Sequence, residues 1–443
     1  MRSEIRIFPG PGQEIQRVHV VWPESWQALN FLRPKPAEEA LDCFYRIYRQ
    51  FLVPAAPWVF GNLVMFRLPE DLKPAVPYED PVFGSVTDPL TAAALILRRG
   101  VWVTGEKTCF RNEAAEILWE GLQKQNCIRI ARGKLPITTI IPVADTAGFL
   151  TREEGRLRVN SNFFIMDPFD CATPYDHVGV PFGLLVKDGV VESPPLLPRE
   201  ALLVKKDGTV TVAEPEIRQL RIRIGDRVFV HGKNAEVFTR PERAFTPGGR
   251  TALVIVGRNV AAVRRGITAI PASGFVICTK DASGIQPGGE VIYEGMEDIA
   301  FGIQVGNSIL RNGVRTECFI SRFFNIKGIR RIAFPPSLYP LDFDNARAAR
   351  VALGADREGN PMLLWAEGAA KIGHTPGADS CGASLKDMAE ICHAVGMVNA
   401  VNLDGGGSAQ LLVDGVRSLM ISDRKEEDCS ESERPVPMGL YVL

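Results

Sequence analysis

Short strand-forming runs separated by Asp-Gly turns constrain the fold of this 443-residue chain more than any other feature. From Cys127 onward these runs are Ile137 to Val143, Phe182 to Val186, Ala201 to Val204, Leu220 to Ile224 and Arg227 to Val230. The turns at Asp188-Gly189 and Asp207-Gly208 lie at the distance expected between the strands of a hairpin. The pattern predicts a mixed α+β domain that is rich in strands and has few helices.

The first 125 residues have a different pattern. Apolar residues recur at helical spacing in Ala37 to Leu52, Thr91 to Arg99 and Arg111 to Lys124, and prolines crowd the segments between them. We therefore expect an N-terminal accessory α/β segment over residues 1–125, followed by the main domain over residues 126–443. The alternative is that residues 1–125 form an elaborated edge of one larger domain.

One short stretch has the pattern of a binding site. Val398 to Leu403 reads as a buried strand, and Asp404 follows it at the start of three consecutive glycines. The preceding segment, Ser384 to Val395, reads as an amphipathic helix that ends at Gly396. Three glycines lose much conformational entropy on folding, so they favour a backbone with positive φ or one that a ligand approaches closely. A small polar or anionic ligand fits this pattern, and a tight turn into a strand at Gln410 to Val413 is the alternative.

Charge and hydropathy exclude several classes of partner. The formal net charge of −1 gives no electrostatic sign of nucleic acid or of acidic membranes, and every apolar run stops well short of about 20 residues. We therefore expect no nucleic-acid partner and no membrane insertion. The segment Met1 to Pro9 has charges where a secretion signal needs an apolar run, which favours the cytoplasm unless a leader segment has been removed.

The cysteines and the common catalytic motifs narrow the chemistry further. Nine cysteines without a Cys-x-x-Cys pair favour buried free thiols, and five scattered histidines lack the spacing of zinc ligands. The chain has no phosphate-binding loop of the nucleotide hydrolases, no dinucleotide fingerprint and no Gly-x-Ser-x-Gly nucleophile elbow. No metal or cofactor is expected, although calcium held by Asp404 and Asp344 is left open.

The string from Asn402 to Ser408, Asn-Leu-Asp-Gly-Gly-Gly-Ser, resembles the signature of the phosphodiester glycosidase family. Further segments resemble family elements in the same order, namely Asn160 to Phe164, Pro181 to Leu184 with Lys187 to Gly189, Arg347 to Gly354, Glu367-Gly368, Gly382 to Leu385, and Arg434 to Val436. The resemblance runs from about Asn126 to Leu443 and does not reach residues 1–125. Ser161 and Asn162 stand where the family usually has glycines, which implies a narrower or differently shaped pocket.

The resemblance implies a glycoside hydrolase that cleaves the anomeric C–O bond of a sugar-1-phosphodiester. The expected sugar is an N-acetylhexosamine or a related sugar, and the products are free sugar and a phosphomonoester. Such chemistry normally uses two carboxylates, for which we assign Asp404 and Glu367. Asp404 could instead cap the glycine turn, and Glu367 could lie in an exposed hairpin turn.

Arginines suit the phosphate because their planar fork binds two oxygens at once, and we rank Arg350 first, Arg434 second and Arg347 third. The other predicted substrate-binding or phosphate-binding residues are Asn160, Asn402, Gly405, Gly406, Gly407, Ser408 and His374. Asn160 and Ser408 could instead serve only as turn or capping residues, and His374 could simply be exposed on its glycine- and proline-rich loop.

Two other functions remain open at this point. One is a carbohydrate-binding or envelope polysaccharide assembly protein that keeps the pocket without turnover. The other is a phosphodiesterase that cleaves the P–O bond. The oligomeric state is not predicted.

Overall fold

The computed structural model describes residues 1–37, 147–165, 175 and 180–443, apart from 182, 198, 241, 317–345, 370–373 and 426–427. Between residues 78 and 139 it describes the backbone of seven short strands. The chain forms two compact units. The first comprises residues 1–35, 147–164 and 181–443, and the second comprises residues 36–146 and 165–180.

Thirty strands occur along the described chain. In the first third these are β1 (Arg2–Pro9), β2 (Ile15–Trp22), β3 (Asn30–Leu32), β4 (Tyr78–Asp80), β5 (Gly84–Val86), β6 (Trp102–Thr104), β7 (Lys107–Cys109), β8 (Glu116–Leu118), β9 (Arg129–Ala131) and β10 (Thr138–Thr139). Then follow β11 (Leu157–Asn160), β12 (Leu185–Lys187), β13 (Val190–Ser193), β14 (Ala201–Lys205), β15 (Val210–Ala213), β16 (Arg221–Ile224), β17 (Arg227–Phe229), β18 (Ala235–Thr239), β19 (Thr251–Val256), β20 (Asn259–Arg265), β21 (Gly274–Thr279) and β22 (Val291–Glu294). The last are β23 (Ile299–Ile303), β24 (Ser308–Arg311), β25 (Val314–Arg315), β26 (Arg350–Ala355), β27 (Pro361–Ala366), β28 (Asn399–Asn402), β29 (Leu411–Val413) and β30 (Gly439–Val442).

The described part of the chain contains one α-helix, α1 (Leu385–Ala394), and three short 3₁₀ turns at Leu150–Arg152, Ile217–Gln219 and Gly406–Ser408. None of the described helices is long and apolar enough to span a membrane. The prediction of a strand-rich mixed fold with few helices is therefore confirmed.

The largest sheet of the first unit has seven antiparallel strands in the order β1-β2-β27-β26-β28-β24-β25. Its central strands β26 and β27 are buried along their whole length, which matches their apolar sequences after Arg350 at the start of β26. Gly354 lets β28 approach closely, because a Cβ there would lie 3.0 Å from the Cα of Ala400. This sheet carries the candidate site at the end of β28.

The helix α1 packs its apolar side on this sheet. Leu385, Met388, Ala389, Ile391 and Cys392 are buried, as their helical spacing predicts. Ser384 and Asp387 form a capping box at its start, with the Ser384 amide donating to the Asp387 carboxylate at 2.8 Å. At its end Gly396 has a φ of +97°, and the Met397 amide donates to the Cys392 carbonyl at 2.9 Å. The predicted helix and its glycine stop are confirmed.

Four smaller sheets complete the first unit. Their strand orders are β29-β11-β30-β3, β13-β12-β23-β14-β15, β17-β16-β22 and β18-β21-β19-β20. The predicted strands at Ala201 to Val204, Leu220 to Ile224 and Arg227 to Val230 correspond to β14, β16 and β17 within one residue at each end. The described strands of the second unit form the sheets β10-β9-β8, β4-β5 and β6-β7.

Two features of the N-terminal part differ from expectation. β2 pairs with β27, so the first 35 residues lie in the same unit as residues 181–443 and not with the remainder of the predicted accessory segment. The helix predicted over Arg111 to Lys124 is wrong at β8, because this strand satisfies its backbone groups by pairing with β9. The predicted helices over residues 38–52 and 91–99 lie outside the described residues. The functional division at residue 125 stays a prediction.

Candidate functional site

The glycine-rich loop that follows β28 is held by backbone hydrogen bonds on both sides. The Leu403 amide donates to the Val351 carbonyl at 2.8 Å, and the Gly406 amide donates to the Ala349 carbonyl at 2.8 Å. On the other side the Asp404 amide donates to the Ser161 carbonyl at 2.8 Å. The loop therefore lies between the start of β26 and the end of β11.

Each of the three positions requires glycine for a different structural reason. Gly406 has a φ of +58°, which favours glycine, and a Cβ at this position would have no atom within 4 Å. A Cβ on Gly405 would lie 2.7 Å from the Ala349 carbonyl oxygen. A Cβ on Gly407 would collide with the side chains of both Arg434 and Asp423. The loop thus needs close approach as well as a turn, which a simple hairpin does not require.

Asp404 has the most perturbed carboxyl group of the loop. Its residue is half-buried, and enclosure of the carboxyl by protein raises its pKa from 3.8 to about 7. A hydrogen bond from the Ser408 side chain, the charge of Arg434 and the Gly405 amide oppose this rise of the pKa, whereas the charge of Asp423 adds to it. A carboxyl with such a pKa exchanges its proton near neutral pH, as general acid catalysis requires.

A buried ion pair lies beside Asp404. The Arg434 Nε donates to Asp423 Oδ2 at 2.8 Å and its Nη2 donates to Asp423 Oδ1 at 3.1 Å, a two-pronged arrangement in which both residues are 5% exposed. The remaining Nη1 reaches Ser408 Oγ at 3.5 Å. Because Ser408 also bonds to the Asp404 carboxyl, the groups form a chain from Asp423 through Arg434 and Ser408 to Asp404. The sequence reasoning missed Asp423, which lies in a charged segment without a motif of its own.

Asn160 fixes the backbone of the loop. Its Nδ2 donates to the Asp404 carbonyl at 2.7 Å, and its Oδ1 accepts from the Gln410 amide at 3.0 Å. Both ends of the glycine loop are therefore tied to one buried amide at the end of β11. Next to it, Ser161 and Asn162 are also buried, and the Ser161 hydroxyl donates to Asn162 Oδ1 at 2.9 Å.

The two other predicted phosphate-binding arginines hold backbone segments. Arg350 donates from Nε to the Ala383 carbonyl at 3.1 Å and from Nη2 to the Ala346 carbonyl at 2.8 Å. Arg347 pairs with Asp387 of the α1 capping box at 3.0 Å. Arg434, ranked second from the sequence, is the arginine whose charge acts on the Asp404 carboxyl.

Glu367, the predicted second carboxylate, lies just beyond β27 and is buried. Its Oε2 accepts from Arg17 Nε at 2.5 Å, and its Oε1 accepts from the Met420 amide at 2.9 Å. The exposed hairpin turn considered for this position is wrong, because Glu367 is 2% exposed. Its catalytic role stays a prediction.

His374 and Asn402 complete the predicted set. His374 Nε2 lies 2.9 Å from Glu14 Oε2, and this residue is half-buried and not fully exposed. Asn402 is 1% exposed, and its Oδ1 has no hydrogen-bond partner among the described residues. The described contacts bring six of the predicted residues together, namely Asn160, Asp404, Gly405, Gly407, Ser408 and Arg434. Glu367 instead contacts Arg17 and Met420, and His374 contacts Glu14.

Within the described ranges, no group of three or more histidine, cysteine, aspartate or glutamate side chains is arranged to hold a metal ion. Asp344, considered for calcium together with Asp404, lies outside those ranges. Of the four cysteines whose positions are described, Cys278, Cys381 and Cys392 are buried free thiols, as expected, and burial raises the pKa of each. The fourth, Cys429, is an exposed free thiol, so the expectation of burial is wrong there.

Comparisons with known proteins find a family and several relatives that this chain resembles. Residues 229–443 match the family described as Phosphodiester glycosidase. The N-acetylglucosamine-1-phosphodiester alpha-N-acetylglucosaminidase of Mus musculus is 36% identical over 100 residues, which is 23% of this chain and 18% of that protein. The protein of the same name from Homo sapiens is 35% identical over 100 residues, with the same coverage. The matched segment thus spans less than a fifth of these curated relatives.

Solved structures give more distant similarities. A hypothetical protein from Synechocystis aligns with a TM-score of 0.41 and 16% identity, covering 99% of this chain and 61% of that one. The zebrafish N-acetylglucosamine-1-phosphodiester alpha-N-acetylglucosaminidase catalytic domain, auto-inhibited by its pro-peptide, aligns with a TM-score of 0.39 and 12% identity, covering 100% and 82%.

Proposed function

Because residues 229–443 match the phosphodiester glycosidase family, we propose that this protein hydrolyses the anomeric C–O bond of a sugar-1-phosphodiester. The sugar we propose is an N-acetylhexosamine, because the relatives that match over 100 residues are named for N-acetylglucosamine-1-phosphodiester. The products are the free sugar and a phosphomonoester. The substrate is a small molecule or a glycan that presents this linkage.

The observation that carries this proposal is the enclosed Asp404 carboxyl with a pKa of about 7 next to Ser408 and the buried Arg434. An acid that is about half protonated at neutral pH can donate a proton to the leaving phosphate oxygen. A hydroxyl and a guanidinium beside it suit the negative charge that grows on that oxygen as the bond breaks. Acid, hydroxyl donor and cation thus meet at one loop.

In the proposed reaction the C1–O bond breaks through an oxocarbenium-like state, and the bond electrons leave with the phosphate oxygen. Asp404 donates its proton to that oxygen, water adds to C1 and releases one proton to the solvent, and Asp404 takes up a proton from the solvent before the next turnover. Asn160 acts as a positioning residue, because it holds the backbone carbonyl of Asp404 and the amide of Gln410. Asp423 is a second positioning residue, because it fixes the plane of the Arg434 guanidinium.

Glu367 is the proposed second carboxylate that stabilises C1 or activates water. It lies beyond Ala366, which pairs with Arg350 across β26 and β27, while the glycine loop bonds to Ala349 on the other side of β26. One strand therefore separates Glu367 from the loop, and strands lie about 4.8 Å apart, so the two backbones are about 10 Å apart. The contacts with Arg17 and the Met420 amide hold the Glu367 carboxylate in place.

The proposal is tested with an N-acetylglucosamine-1-phosphodiester followed by phosphorus and proton NMR. Wild type should release free sugar and phosphomonoester. Asp404→Asn should lower kcat by about 10²–10⁴-fold, the usual contribution of a general acid. The matched control is Asp414→Asn, which changes an exposed carboxylate in the next turn, whose side chain is 61% exposed.

Each other outcome contradicts the proposal in its own way. A sugar phosphate product would show P–O cleavage. Ligand-induced shifts without turnover, across a panel of sugar phosphodiesters, would show a binding protein. Equal turnover by Asp404→Asn and Asp414→Asn would remove Asp404 from the chemistry.

A further inference from the structure

The charge of the segment from Arg240 to Pro271 differs from that of the whole chain. This segment contains six arginines, no lysine and one acidic residue, Glu242, while the full chain has a formal net charge of −1. Glu242 is already paired with Arg218. The near-neutral total therefore hides a strongly basic region in one small part of the fold.

Two stretches of this segment are fastened side by side. Phe245 pairs with Ala269 in an isolated bridge, and the Thr246 amide donates to the Thr268 carbonyl at 2.8 Å. Arg240 adds hydrogen bonds from Nη1 to the carbonyls of Ala244 and Ile270, each at 3.2 Å. The two stretches thus form one surface held by backbone and side-chain bonds.

Two large apolar side chains project from this surface. Ile267 is 73% exposed and Phe245 is 56% exposed. A single exposed apolar residue is ordinary, but these two come from stretches bonded to each other. Four exposed arginines accompany them, namely Arg243, Arg250, Arg264 and Arg265. We call these six residues the arginine tip.

Backbone pairing and side-chain contacts bring several residues of the arginine tip close together. Arg265 and Thr251 are register partners at the end of the hairpin formed by β19 and β20, and Arg250 immediately precedes Thr251. Ile267 lies two residues after Arg265, and its Cγ1 would be 3.6 Å from a Cβ on Gly248. The charges of Arg243 and Arg250 both act on the same thiol, that of Cys278, together with the charge of Glu236. Glu236 lies 3.5 Å from His231.

We propose that the arginine tip binds the surface of an anionic lipid bilayer, with Phe245 and Ile267 inserted among the lipid headgroups and the arginines on the phosphates. Basic residues gain from the negative surface potential, and apolar side chains gain by leaving water for the acyl boundary. Phe245 offers a ring to a base as well as an apolar side chain to lipid, so Ile267 is the residue that distinguishes the two partners. Its aliphatic side chain gives no stacking surface and favours a bilayer over a nucleic acid. This inference is independent of the proposed glycosidase activity.

The test is co-sedimentation of the full chain with vesicles of phosphatidylcholine alone and of phosphatidylcholine with about 30% phosphatidylglycerol. Wild type should bind the anionic vesicles, and binding should fall as salt rises. The double variant Phe245→Ser/Ile267→Ser should bind about 10-fold more weakly or worse. The quadruple change of Arg243, Arg250, Arg264 and Arg265 to Gln should weaken binding by about 100-fold or more.

The matched control is Ile7→Ser/Val314→Ser, which removes two side chains that are 65% and 68% exposed on other strands. It should bind like wild type. Circular dichroism and thermal melting must show that all variants are folded, and the solvent-exposed positions make loss of folding unexpected. The proposal is overturned if wild type does not bind anionic vesicles, if the control loses as much binding as Phe245→Ser/Ile267→Ser, or if that double variant binds unchanged. Tighter binding to a DNA duplex than to the vesicles, retained by that double variant, would also overturn it.

Discussion

Replacing Asp404 by Asn should make the protein more stable at alkaline pH while it abolishes most turnover. In the folded protein the Asp404 pKa is raised from 3.8 to about 7, so the folded state keeps a proton that the unfolded chain has already released. Stability therefore falls as the pH rises from about 4 to about 7. The difference of about 3 pK units corresponds to about 4 kcal/mol at 1.36 kcal/mol per unit.

The Asn side chain cannot ionise, so this loss of stability should be missing in Asp404→Asn. Below about pH 4 the two proteins differ only by a constant, which reflects the changed hydrogen bonds to Ser408 and Gly405. By pH 8 the stability of Asp404→Asn relative to wild type should have risen by as much as about 4 kcal/mol. The change of this difference with pH is the informative quantity, because a constant packing effect cancels.

The assay is urea unfolding of wild type, Asp404→Asn and the control Asp414→Asn at pH 4, 5, 6, 7 and 8. The reasoning is refuted if the stability difference between wild type and Asp404→Asn stays flat across this range. A difference that changes in the opposite direction would mean that the folded protein favours the ionised Asp404. Asp414→Asn makes the same substitution at an exposed carboxylate outside the glycine loop and controls for the chemical change itself.

Three further predictions concern the surroundings of Asp404. Asp423→Asn leaves a buried guanidinium without its carboxylate, so it should lower the free energy of unfolding by about 3–5 kcal/mol. Because the charge of Asp423 raises the Asp404 pKa, this variant should also shift the Asp404-dependent limb of the pH–rate profile to lower pH. An unchanged limb would show that Asp423 does not act on Asp404. Gly407→Ala should reduce kcat much more than Gly406→Ala, because the new Cβ at Gly406 meets no atom within 4 Å and costs only the strain of a positive φ, about 1–2 kcal/mol. Steady-state kinetics and thermal melting compare the two variants, and an equal loss of kcat would contradict the described packing. Glu367→Gln should reduce kcat strongly, whereas Arg17→Met, which removes the ion-pair partner of Glu367, should reduce mainly the melting temperature. If both variants lose kcat and melting temperature to the same extent, Glu367 has a structural role alone.

Local patterns predict the framework of the site well. Ser384 starts α1 and Gly396 ends it, because a capping side chain and a residue with positive φ act on neighbouring backbone groups. β28 and the glycine loop that follows it were also expected, since a buried apolar run and consecutive glycines are visible in the sequence alone. These elements depend on residues close together in the chain.

Pairings across long stretches of the chain could not be predicted. Glu367 is held by Arg17, 350 residues earlier, and no local pattern indicates this pair. The same holds for β2, which pairs with β27 and brings β1 and β2 into the seven-stranded sheet. Asp423 went unnoticed because a buried carboxylate that orients Arg434 looks, in sequence, like any other charge in a polar segment.

The ranking of the arginines shows the same limit. Arg350 ranks first from the sequence, and its described hydrogen bonds go to the carbonyls of Ala383 and Ala346. Arg434 comes near Asp404 only because the chain returns from β29 to the glycine loop, where Gly407 leaves room for it. Tertiary packing gives the arginines different contacts, which residue type alone does not predict, and their role in phosphate binding stays a prediction.

The most direct test of glycosidase chemistry is hydrolysis of an N-acetylglucosamine-1-phosphodiester in water enriched in ¹⁸O, with mass spectrometry of both products. Cleavage of the anomeric C–O bond predicts that the label enters C1 of the free sugar and that the phosphomonoester remains unlabelled. Label in the phosphate group, with an unlabelled oxygen on C1 of the sugar, would contradict the proposed reaction and assign attack to phosphorus.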